Sequence, residues 1–130
     1  MSTGLHTKPA VVKAAASLLG EMKDAASSLT YAALLTDDGF DVARWPAQTD
    51  GARFAGMASS MQALGDAVTH ELKIGSSEYL IIASGKGHVV QLRVPGKELV
   101  LSALFDNDAT VGHALAITRT FAQKMSDLLT

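Results

Sequence analysis

The sequence predicts an α+β fold in the order α-β-β-α-β-β-β-α, with its strands antiparallel where hairpin-length turns join them. Three observations lead there. Short apolar runs are joined by hairpin-length turn signals after the first, third and fourth strands, which makes those neighbours antiparallel. Three longer segments place apolar residues at helical spacing. The remaining chain is organised around residues 52–84, an amphipathic helix followed by Tyr79-Leu80-Ile81-Ile82-Ala83, a strand with no polar face.

Residues 1–8 read as loosely held. Pro9 suits the first turn of a helix, where a missing N–H costs nothing. From there Val11, Val12, Ala15, Leu18, Leu19, Met22, Ala25 and Ala26 make a broad apolar face that ends near Ser27. Residues 31–35 (YAALL) form a buried-strand run. In Asp37-Asp38-Gly39 the glycine supplies the positive φ of a tight turn, and residues 41–45 return as a shorter strand suited to a sheet edge, stopped by Pro46.

Asp50 is positioned to cap the second helix. On that helix Phe54, Met57, Met61, Leu64, Val68 and Leu72 form a stripe at the spacing of a buried face. Beside it run the small residues Gly56, Ser60, Ala63 and Ala67, while Ser59, Gln62, Asp66, Thr69, His70 and Lys73 are expected to meet water. Met57 and Met61 read as core. Gly75-Ser76-Ser77 breaks the helix before the strand at residues 79–84. Gly85-Lys86-Gly87 makes the next hairpin turn. Residues 88–94 alternate, with Val90, Leu92 and Val94 on one face and Val89, Gln91 and Arg93 on the other. Pro95-Gly96 turns the chain into the last strand, residues 98–105. Asp106-Asn107-Asp108 offers acceptors for the start of the third helix. There Val111, Ala114, Leu115, Ile117, Thr118, Phe121, Ala122, Met125 and Leu128 are expected to pack inward, with Arg119, Gln123 and Asp127 outside.

At 130 residues, 48% hydrophobic and 18% charged, the chain reads as one globular domain over residues 1–130, with residues 1–8 flexible. It has no cysteine, which excludes disulfides, thiolate metal sites and cysteine catalysis. A net charge of −2 without a basic run argues against nucleic acid. No secretory signal is visible, and no apolar run approaches the roughly 20 residues needed to span a bilayer. The expectation is a cytoplasmic protein without membrane insertion.

No catalytic constellation assembles. Asp37, Asp38 and Asp41 lack the spacing of an EF-hand loop, and His6, His70, His88 and His113 form no metal-binding pair. There is no Gly-x-Ser-x-Gly elbow, and Gly85-Lys86-Gly87 lacks P-loop spacing. Among Arg44, Arg53, Arg93 and Arg119, nothing singles out an arginine finger. The expectation is a chain that is not an enzyme, with no catalytic residue, cofactor or metal.

In order along the chain, residues 32–43 (AALLTDDGFDVA), 54–68, 79–94 and 101–115 (LSALFDNDATVGHAL) resemble the Roadblock family, the dynein light-chain type domain that includes bacterial partners of Ras-like small GTPases. The matched parts are its first hairpin, its central helix, its third and fourth strands, and its last strand leading into a Gly-containing helix. The resemblance implies a Roadblock/profilin-like sandwich, a five-stranded antiparallel sheet with helices on both faces, and a homodimer built from the second helix and third strand of each subunit. It implies a non-enzymatic scaffold that binds a Ras-like small GTPase and modulates its nucleotide cycle or localisation. The expectation is a chain that ends soon after the third helix, without the longer tails of some bacterial members.

The residues agree with such a dimer. An apolar strand at a sheet edge is an aggregation hazard unless covered. One two-fold axis can cover the third strand and bring two small-residue stripes together. The expected interface is Gly56, Ser60, Ala63, Ala67, Tyr79, Ile81 and Ala83. The competing readings are a small-molecule sensor domain and a purely structural dimerisation module.

Overall fold

In the computed structural model, residues 8–47 and 50–129 are described. Most of the N-terminal segment expected to be loosely held, residues 1–7, lies outside them. The elements follow the expected order: α1 (Pro9–Ala25), β1 (Leu29–Thr36), β2 (Asp41–Trp45), α2 (Gly51–Glu71), β3 (Leu80–Ser84), β4 (Gly87–Arg93), β5 (Leu99–Asp106) and α3 (Val111–Leu128). The strands form one sheet in the order β2-β1-β5-β4-β3, with every neighbouring pair antiparallel. Its edges are β2 and β3.

Local chemistry sets the element ends. Helix α1 stops at Ala25 rather than Ser27, because Ala26 turns extended and drops into the core. Lys23 Nζ ties down the exit by donating to the carbonyls of Ser27 at 2.8 Å and Leu29 at 3.0 Å. In the β1–β2 turn, Thr36 Oγ1 donates to Asp38 Oδ1 at 2.6 Å and accepts from the Phe40 N–H at 2.9 Å, around Gly39 at φ +91°. Asp50 caps α2 as expected, accepting from the Arg53 N–H at 3.3 Å. The cap of α3 is Thr110, which accepts from the His113 N–H at 3.1 Å. The Asp106-Asn107-Asp108 triplet does not cap; Asp106 accepts from the Asp108 N–H at 2.9 Å and builds the turn before the helix.

The two faces of the sheet are filled unequally. On one, Ala32, Leu34, Val90, Leu92, Leu101, Ala103 and Phe105 meet Ala15, Leu19 and Met22 of α1 and Ala114, Phe121, Ala122 and Met125 of α3. This is the main core. Of the apolar residues expected inward, Ala25 is exposed, Leu128 in the last turn of α3 is half exposed, and Val12 and Val111 stay half-buried outside this core. On the other face Tyr31, Ala33 and Leu35 meet only Ala55 and Ala58 of α2, with Phe54 against the Tyr31 ring at 4.2 Å.

Helix α2 is rotated from the setting its pattern predicts. Its buried positions are Gly51, Ala55, Ala58, Gln62 and Gly65. Of the stripe expected to be buried, Met57 is 55% exposed and Leu64 67%, Val68 and Leu72 are exposed too, and Phe54 and Met61 are half-buried. Met57 is therefore not core. Gln62, expected in water, is buried, and Ser59 and Thr69 are half-buried; Asp66, His70 and Lys73 are exposed. Distance explains the difference. A Cβ on Gly65 would come within 2.7 Å of Leu80 Cδ2, and one on Gly51 within 2.7 Å of Arg44 Nη1 and Asp41 Oδ2. The helix lies so near the sheet that glycine, alanine and a flat amide fit beneath it. Apolar periodicity ranks faces by bulk and carries no information about that distance.

Candidate functional site

The open sheet edge and the apolar stripe of α2 lie side by side. Strand β3 pairs with β4 through Leu80↔Gln91, Ile81↔Val90 and Ile82↔Val89, and has no strand on its other side among the described residues. The pairing fixes where its side chains point. Gln91 faces α2, since its Nε2 donates to the Ala58 carbonyl at 2.8 Å. Its partner Leu80 does the same, lying against Gly65, and alternation puts Ile82 on that side. Ile81 pairs with Val90 and packs against the main core. Tyr79 is on the main-core side too, its ring centroid 5.5 Å from the Arg119 guanidinium of α3.

Between α2 and β3 runs an open groove of 620 Å³, lined by Met61, Leu64, Val68, Ile74, Leu80 and Ile82 among others. Ile74 is 65% exposed and Ile82 54%. The groove and the outer face of α2 form one continuous apolar surface, which a lone subunit leaves in water.

Beneath α2 lies a polar network. Gln91 Nε2 also donates to Gln62 Oε1 at 3.3 Å. Gln62 Nε2 reaches Asp66 Oδ1 at 3.2 Å and Ser77 Oγ at 3.5 Å. At its rim Arg93 donates to both Asp37 oxygens at 3.1 Å and to Asp66 Oδ2 at 3.2 Å. Partial burial raises the Asp37 carboxyl above its ordinary value. The Arg93 guanidinium opposes that shift, and the nearby Glu98, Asp66 and Asp38 charges add to it. These ion pairs are solvent-facing, so they orient the rim more than they stabilise it.

The expected interface residues divide between the two faces. Gly56, Ser60, Ala63 and Ala67 lie exposed on the outer side of α2, beside Met57, Leu64 and Val68. Tyr79 and Ala83 are exposed on or next to the edge strand, while Ile81 is half-buried and turned toward α1 and α3. The structure therefore does not bring the Ile81 side chain to the α2 stripe. Leu80, Ile82 and Ile74 take that place, and sequence reasoning missed them. The signal was in the turn. With Ser84 paired to Gly87, Gly85-Lys86 is a two-residue turn. A three-residue turn, Gly85-Lys86-Gly87, shifts the register by one and turns every β3 side chain over.

The aspartates of the first hairpin are engaged within the fold: Asp37 with Arg93, Asp38 with Thr36, and Asp41 with Arg44. Among the described residues no group of three or more His, Asp or Glu side chains gathers to hold a metal ion. None of their helices is long and apolar enough to cross a membrane.

A five-stranded antiparallel sheet with two helices on one face and a single helix beside an open edge on the other defines the class, an α+β sandwich with one face left apolar. The particular fold is that of Roadblock/LC7 domains. A Roadblock/LC7 domain from Streptomyces avermitilis superposes with a TM-score of 0.79 at 16% identity, over 88% of this chain and 96% of that one. MglB from Myxococcus xanthus gives 0.80 at 12% identity, over 91% and 89%. A structure described as MglB with tetrameric arrangement gives 0.78 at 18%, over 90% and 88%. No family model matches the sequence, and no curated protein sequence does.

Proposed function

We propose that this chain is a non-enzymatic regulator that forms a homodimer through the α2–β3 surface and, in the cytoplasm, binds a Ras-like small GTPase. One observation carries the assembly: the outward apolar stripe of α2 and the open edge of β3 form one continuous face. A second copy of the chain fits it. Two β3 edges paired about a two-fold axis merge two five-stranded sheets and remove both unpaired edges. The stripe of Gly56, Ser60, Ala63 and Ala67 lets the two α2 helices approach, while Met57, Leu64, Val68 and Ile82 supply the buried apolar area. The tetrameric arrangement of one MglB fold neighbour supports a fold that assembles.

The GTPase partner rests on the Roadblock resemblance and on the fold. A regulator shifts a GTPase between states only if it binds them unequally, and each tenfold preference corresponds to about 1.4 kcal/mol. Calorimetric titration of the Ras-like GTPases of the same genome, each loaded with GDP or a GTP analogue, tests this. Binding to one of them with unequal affinity for its two states is the expected result. An intact dimer that binds none of them leaves a structural dimerisation module. The groove favours one further reading. Its 620 Å³ is the size of a small-ligand site, so a monomeric chain would be a sensor for a compact apolar molecule.

A further inference from the structure

Gln91 is fully buried on the α2 side of the sheet, and both groups its amide nitrogen reaches belong to α2: the Ala58 carbonyl and Gln62 Oε1. Its Oε1 has no hydrogen-bond partner among the described residues. Nor does Oγ of Ser102, its cross-strand neighbour on β5. A half-satisfied buried amide is a costly occupant of a core position, where an apolar side chain of similar size serves better. The sheet gains nothing from it; the helix does.

Helix α2 has two faces that compete for the sheet. The small one, Ala55, Ala58, Gln62 and Gly65, is down. The heavy one, Met57, Met61, Leu64 and Val68, lies about a quarter turn away, close to the roughly 100° separating successive helical residues. In a lone subunit, burial of apolar surface favours rolling the heavy stripe inward. Rolling breaks both Gln91 bonds and carries Gln62 away, leaving Gln91 buried with no partner at all.

We propose that Gln91 is a positioning residue that sets the rotation of α2, holding its small face on the sheet and its apolar stripe outward, ready for a second copy. The consequence for assembly rests on the dimer reading above; the setting of the helix is a property of one subunit and is tested separately. The chain has no cysteine, so Ala58→Cys introduces a single thiol at a position that is 3% exposed. Its maleimide labelling rate at nanomolar concentration reports the rotation of α2, with Ala116→Cys on the exposed side of α3 as reference.

Adding Gln91→Leu is expected to speed labelling of that thiol at least tenfold and to reduce the dimer fraction measured by light scattering. Rolling also carries the heavy stripe inward, so in a separate chain a thiol at Leu64→Cys, a site 67% exposed, is expected to label at least tenfold more slowly once Gln91→Leu is added. Unchanged labelling in Gln91→Leu overturns the proposal, whether or not the dimer persists. Acceleration at position 58 without slowing at position 64 also overturns it, since a loosened core would behave that way. Acceleration at position 58 with slowing at position 64, in a chain that is monomeric throughout, supports the role of Gln91 and overturns the dimer reading alone.

Discussion

At Gly65 helix α2 lies close on the sheet, against Leu80. An alanine there gains up to about 1 kcal/mol in helix propensity and costs about 1–3 kcal/mol in crowding. Gly65→Ala is expected to lower stability by about 1 kcal/mol, and to raise it slightly in a Leu80→Ala background, where the clash is gone and the propensity gain remains. Urea denaturation of the four chains of that cycle measures the coupling. Asp37 gives a prediction in pH. Its folded pKa is raised, chiefly by burial and against the pull of Arg93, so the folded chain holds this proton more tightly than the unfolded one. The stabilisation is complete below the unfolded value of 3.8 and is lost as pH rises through the higher folded value. Asp37→Asn is expected to remove that decline from the thermal midpoint measured against pH.

At the scale of elements, α2 and β3 show what the sequence can and cannot specify. The order of elements, the Asp50 cap, the edge position of β2 and the expectation that α2 and β3 need further covering all follow from residue patterns. The setting of α2 does not, because it depends on how near a glycine at position 65 lets the helix approach a leucine fifteen residues on. The facing of β3 turned on whether Gly87 belongs to the turn or to the strand, a one-residue question that periodicity in an all-apolar strand cannot answer. The two strand faces predict opposite behaviour for neighbouring residues. Ile82→Asp, on the exposed α2 side, is expected to keep the fold and abolish self-association. Ile81→Asp is expected to cost about 2–4 kcal/mol of subunit stability by placing a carboxylate against the main core. Denaturation and light scattering on both variants separate these effects.

Over the whole molecule, the sandwich is lopsided. Two helices close one face of the sheet over a large core, while the other carries a single helix seated on small side chains, with its bulky ones turned out. Leu64, Val68, Ile74 and Ile82 line the groove beside the β3 edge instead of scattering over the surface. Scattered apolar residues are ordinary, whereas a contiguous patch beside an unpaired strand is the feature on which the proposed assembly rests. The direct test is light scattering across a concentration series on the wild type and on Leu64→Asp, a change at a site 67% exposed in the lone subunit. The expected wild-type mass is twice the 13.6 kDa of one chain, falling to a single chain in Leu64→Asp with an unchanged circular dichroism spectrum. A wild type that stays at one chain mass into the high micromolar range, or a dimer that Leu64→Asp leaves intact, would contradict assembly through this face.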